Sequence, residues 1–191
     1  MGFRICYFAS EVDPAEFAEG LGLTLKGQAT EMPDKDWWAA KLKATGWTLL
    51  WAKDEEFGQR AIQRVADISK VHPIYLCEVN ETVMWSSAEL WSNGQQIWRV
   101  THLGSEGDLL DLSVTGIVPP YLQGLMDAAR AEQGNDEDGV DFTFEVPLDL
   151  AAKVIGFRHE NYLQHSDVDI FHILKPGRKP GFFSRLLGSK N

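Results

Sequence analysis

The dipeptide Asn93-Gly94 constrains this chain more than any other pair of residues. Both residue types tolerate the positive backbone angles that a two-residue hairpin turn demands, and apolar-rich runs flank them on either side. In the simplest register opposed residue numbers sum to 187, so Leu90 faces Ile97, Glu89 faces Trp98 and Trp85 faces His102. Side chains alternate along a strand. That alternation puts Val83, Trp85, Trp91, Trp98 and Val100 on one face, and Met84, Leu90, Ile97 and Leu103 on the other. With both faces largely apolar, the hairpin over residues 83–102 belongs inside a layered structure, or leaves one aromatic face partly open. Glu89 is the inconsistency. A carboxylate on an aromatic face is costly without a partner, so Arg99 brought round by a bulge, a helix, or solvent must satisfy it.

Other local signals are equally physical. Residues 3–9 read as a strand covered on both faces. Asp13-Pro14-Ala15-Glu16 announces a helix, with Asp13 as cap and Pro14 at the first helical position. Leu23-Thr24-Leu25 reads as a short strand. Asp34 is expected to cap a helix with the stripe Trp38 and Leu42, ended by Gly46. Residues 47–52 and 74–79 read as strands around a helix that follows Asp54-Glu55-Glu56 and ends before Pro73. A strand over 109–117 precedes a helix from Pro119-Pro120 to about Glu132. Residues 132–139 contain no apolar side chain and are expected to form a hinge or mobile loop. Val140, Phe142, Phe144 and Val146 alternate with polar residues, which predicts a half-buried strand. A helix opened by Pro147, with Leu148, Ala151, Ala152 and Ile155 inward, stops at Gly156, and a last strand covers 168–174. The segments beginning at Pro14 and Pro147 share a pattern that either a duplicated strand–helix unit or ordinary capping grammar produces.

These elements predict an α+β fold, mainly antiparallel sheet, with several short packing helices. Residues 1–174 are expected to form a single compact domain, with two lobes as the variant, and 175–191 a basic Pro/Gly-rich tail. At 191 residues the chain buries a substantial core without disulfides, and Cys6 and Cys77 sit in apolar runs as small hydrophobes.

The net charge of −10 argues against general nucleic-acid binding and against an anionic lipid surface. The five cations of the tail leave 13 basic against 28 acidic residues over 1–174. The tail therefore reads as a segment packing on the acidic body or fraying, or as an apolar docking peptide. The first residues lack a signal-peptide pattern, so a cytoplasmic location is expected.

Catalytic motifs are absent: no phosphate-cradling glycine loop, no nucleophile elbow and no His-Glu-x-x-His occurs. No cofactor is implied. The polar constellation most worth testing as a metal or acid–base site is His159-Glu160, His165, Asp167, Asp169 and His172. In an extended segment His165, Asp167 and Asp169 share a face while His172 points away. A site therefore needs a bend, or ligands from His72 or His102.

Seven tryptophans serve a core by default, and some serve as interface anchors or stacking platforms for a sugar. The leading expectation is a protein-binding or adaptor module for a basic partner, steered by the acidic residues 136–138. Its binding residues would be Trp85, Trp91, Trp98, Glu89 and His102. The alternatives are an enzyme using His159, His165, Asp167 and Asp169, and a small-ligand or carbohydrate binder using the tryptophan-rich sheet face.

Overall fold

Arg4–Ser10 form strand β1, in which every side chain after Arg4 is buried, so the strand must lie mid-sheet with both faces covered. The computed structural model describes residues 2–34, 37–104, 109–135 and 139–177. Among them the further strands are β2 (Leu23–Ala29), β3 (Trp37–Lys41), β4 (Thr48–Ala52), β5 (Ile74–Asn80), β6 (Trp85–Ser92), β7 (Gln95–Leu103), β8 (Leu112–Gly116) and β9 (Phe171–Pro176). They form one nine-stranded open sheet in the order β2-β9-β3-β4-β1-β5-β6-β7-β8. Every neighbouring pair is antiparallel. The helices are few and short: α1 (Pro14–Gly20), α2 (Phe57–Arg60), α3 (Ile62–Ile68), α4 (Leu122–Asn135) and α5 (Val146–Ile155). The fold is thus dominated by antiparallel sheet, as expected, with less helix than the sequence reading assigned.

Alternation along the strands divides the core into two. On one face Ile5, Tyr7, Trp38, Trp51, Cys77, Trp98 and Val100 pack under α4 and α5. On the other, Cys6, Phe8, Leu50, Ile74 and Leu76 pack under α1, α2 and α3. Phe17 of α1 is wholly buried there, which stabilises the docking of that helix by about 2–3 kcal/mol. Asp13 caps α1 by accepting from Ala15 N at 3.1 Å. Gly156 ends α5 at φ 74°, a conformation that favours glycine.

Four expectations are corrected. The segment read as a helix capped by Asp34 is strand β3, and Leu42 just beyond it remains buried. Positions four apart share a face in both a helix and a strand, so the Trp38–Leu42 spacing does not separate the two. Partnership decides: Trp38 pairs with Trp51 of β4 and stacks on it at 5.8 Å and 6°. The alternating segment 140–146 is not a strand, since Thr143–Glu145 form a 3-10 turn that runs into α5. There Asp141 Oδ1 accepts from Phe144 N at 3.1 Å, which bends the chain before Pro147. The Pro147 helix therefore lacks the preceding strand that a duplicated unit requires. Of the segment expected as a loop, 132–135 continue α4, and 136–138 lie outside the described residues, as do the tail residues 178–191. The helix expected over 57–69 is divided between α2 and α3 at Ala61.

The hairpin turn forms at Asn93 and Gly94, with φ 54° and 77°. Ser92 faces Gln95 and Trp91 faces Gln96 as the two-residue turn dictates, but the register then slips. Beyond Ile97, Leu90 faces Trp98, Glu89 faces Arg99, Ser86 faces His102 and Trp85 faces Leu103. One extra residue moves everything after it to the opposite face.

Candidate functional site

The slip at Ile97 corrects the aromatic face drawn from the sequence. Trp98 joins Ala88 and Val100 in the core beneath α4 and α5 and is 1% exposed. Trp91 packs on the opposite side with α3 and its neighbours, and half-buried Trp85 also lies on that side, lining a cleft with α2 residues. The three indoles therefore do not form one patch. The same slip resolves the Glu89 inconsistency by bringing Arg99 round: Arg99 Nε lies 3.2 Å from Glu89 Oε1. Glu89 Oε2 accepts from Trp91 Nε1 and Gln96 Nε2, each at 2.7 Å. Glu89 Oε1 makes no hydrogen bond and is met only by the Arg99 charge, and the side chain is fully buried rather than an open binding group.

One strand over, β5 carries Glu78 in the apolar run Ile74-Tyr75-Leu76-Cys77-Glu78-Val79. Its side chain points to the α2 side and is fully buried. Oε2 accepts from Gln59 Nε2 at 3.1 Å and Ser87 Oγ at 3.3 Å. Oε1 has no hydrogen-bond partner. It lies under α2 at Gly58, 2.6 Å from where a Cβ on that residue would stand, so only glycine lets the helix sit over this carboxyl group. Burial pushes the Glu78 carboxyl up from 4.5 to about 7; the Glu89 charge adds to this, while the bonds from Gln59 and Ser87 and the charge of Arg99 oppose it.

Glu78 lines a solvent-facing cleft of about 500 Å³ with Glu55, Glu56, Gln59, Arg60, Asn80 and Trp85. Elements distant in sequence supply it: the start and end of α2 and the facing ends of β5 and β6. Glu55 is held by Arg4 and by Asn80 Nδ2 at 3.5 Å. Arg60 is turned toward Asp54, and its Nη1 lies 3.5 Å from Glu56 Oε2. The lining thus places three carboxyl groups against one guanidinium beside an indole. Carboxylates and the negative face of an indole ring are groups that can contact a cation.

The remaining candidates are engaged separately. His102 is fully buried, with Nδ1 donating to the Asp111 carbonyl and Nε2 lying 2.8 Å from Asp141 Oδ2. It ties the 139–143 segment to the sheet rather than facing a ligand or Trp85. His159 packs edge-on against Phe3 at 5.2 Å, and its Nε2 lies 3.2 Å from Glu81 Oε1. Burial pulls its pKa down, opposed by Glu81 and Glu160. His165 and Asp167 lie in a turn, where Asp167 Oδ2 accepts from Gln164 N at 2.8 Å. Asp169 pairs with Lys43 at 2.8 Å, and the same ammonium donates to the His165 carbonyl at 2.8 Å. The strand that would have aligned these groups begins only at Phe171. Among the described residues no three His, Cys, Asp or Glu side chains group as metal ligands. Glu160 instead joins Glu145 and Asp149 around Arg158, and burial pushes Glu145 up to about 7 against the pull of Arg158.

Sequence reasoning missed Glu78, Glu55, Gln59 and Asn80. The available signal was a single glutamate inside an otherwise apolar strand, which must either find a partner or shift its protonation. Among the described residues no helix is long and apolar enough to cross a membrane. Comparison with protein-family models, with curated proteins and with solved structures finds no match.

Proposed function

We propose that the chain is a protein-binding module whose Glu55–Glu56–Glu78–Trp85 cleft takes a lysine or arginine side chain of a basic partner. The observation that carries this reading is the cleft lined by Glu55, Glu56 and the Trp85 indole, with the buried Glu78 carboxyl group beneath it. The Glu55 and Glu56 carboxylates meet a cationic side chain, and Trp85 supplies a face for its alkyl stem and charge. The net charge of −10 adds long-range attraction and raises the encounter rate with a basic surface. Trp85 replaces the three-indole anchor expected from sequence, because Trp98 is sealed in the core.

Titration with a tetralysine peptide, followed by heteronuclear NMR, tests this. Saturable shifts are expected at the Trp85 indole N–H and the Gln59 side-chain amide, with none from tetraglutamate. Trp85→Ala and Glu78→Gln should each weaken the response severalfold at pH 8. Shifts scattered over the acidic surface and unchanged in both variants would remove the cleft from the account.

A further inference from the structure

A second hollow, of about 430 Å³, lies on the other flank of α2, toward β2, β3 and the end of β9. Its size is that of a small-molecule site, and its walls are mostly apolar with a few convergent polar groups. Trp37 and Phe57 meet there edge to face, with ring centres 4.9 Å apart, and present an aromatic wall. The polar groups are Asp54, Arg60 and Arg64. Asp54 is committed to Arg60, whose Nη1 donates to Oδ1 at 3.2 Å and whose Nη2 bonds Oδ2.

Arg64 is differently placed. Its guanidinium lies 3.0–3.3 Å from where a Cβ on Gly22 would stand, and Gly22 has φ +79°. The turn between α1 and β2 thus leaves room for this group because its tight residue is glycine. Nη1 donates only a long bond, 3.4 Å, to the Gly20 carbonyl, and no carboxylate partners Arg64 among the described residues. With Asp54 and Arg60 compensating each other, the hollow carries a net positive charge inside a chain of net −10. Such a local reversal of sign selects an anion that the rest of the surface repels.

The geometry points to a binding site for a small aromatic carboxylate, its acid group on Arg64 and its ring against Trp37 and Phe57. A bare oxyanion leaves the aromatic wall unused, and a neutral aromatic compound leaves the guanidinium without its anion. Arg60 lines both this hollow and the basic-partner cleft, but Arg64 and Trp37, which would hold the ligand, line only this one.

Calorimetric titration of the full chain with indole-3-carboxylate, with indole and with inorganic phosphate tests the assignment. One saturable site for the acid is expected, with indole and phosphate each at least tenfold weaker. Arg64→Gln should weaken the acid about tenfold or more, as loss of a charge-assisted bond does. Arg64→Lys should keep more of the affinity than Gln, and Trp37→Leu should weaken both ring-bearing ligands. The thermal midpoint of each variant, measured alongside, confirms folding. Equal binding of acid and indole, phosphate binding as tightly as the acid, an unaffected Arg64→Gln variant, or no saturation by the acid at millimolar concentration overturns the proposal. Tetralysine binding at Trp85 is read separately, so either site can fail without the other.

Discussion

Glu78→Gln should make the protein more stable at high pH, an unusual direction for removal of a buried hydrogen-bonded residue. Folding raises the Glu78 carboxyl from 4.5 to about 7. Between those values the folded state holds a proton that the unfolded chain has released, so stability falls as pH rises through this window. Below about pH 4.5 both states are protonated and there is no penalty; above pH 7 it is fully present. At about 1.4 kcal/mol per pH unit, the displacement corresponds to roughly 3 kcal/mol of destabilisation at pH 8. Glutamine keeps the shape and the capacity to bond Gln59 and Ser87, and has no charge to desolvate. Urea unfolding of both proteins at half-unit intervals from pH 4 to pH 8.5 measures the difference. The two curves should converge near pH 4.5, and the variant should lead by about 2–3 kcal/mol at pH 8. Glu145, also raised to about 7 by burial, contributes a pH dependence of the same sign that the substitution leaves in place. A variant equal to or weaker than the parent at pH 8, or a constant offset across the range, would falsify the claim that Glu78 is an ionised, under-compensated group at pH 8.

Tetralysine affinity should rise between pH 6 and pH 8 in the parent and lose most of that rise in Glu78→Gln, because ionisation of the buried carboxyl group adds negative charge beneath the cleft; calorimetry in buffers of different ionisation enthalpy detects the linked proton. Gly58→Ala should cost about 1–3 kcal/mol in chemical unfolding, since its Cβ would stand 2.6 Å from Glu78 Oε1 and 2.9 Å from Leu76 Cδ1. Trp98→Ala should lose about 3–5 kcal/mol by emptying a core position, whereas Trp85→Ala should lose far less stability and most of the tetralysine response. Asp141→Ala should cost about 1–3 kcal/mol and expose the amides of 139–145 to faster hydrogen exchange, because it removes the partner of His102 Nε2 and the acceptor for Phe144 N.

Several local features are written within a few residues of where they act. Asp13 reaches its amide across two positions, Asn93-Gly94 turns the hairpin, Gly156 ends α5, and the buried face pattern of β1 follows from its own side chains. Short-range sterics and hydrogen bonding suffice for these, so no distant partner has to be known. Tertiary structure decided what depends on a partner far along the chain. Trp38 belongs to a strand because Trp51 lies across from it, although its spacing to Leu42 suits a helix equally. The extra residue at Ile97 is invisible in the turn sequence, yet it seals Trp98 in the core and turns Arg99 toward Glu89. The candidate cleft is of the same kind. Glu78 becomes chemically unusual only because α2, held over it by a glycine, keeps water away without giving Oε1 a donor. Desolvation is a property of everything packed around a group, and the sequence on either side of Glu78 does not contain it.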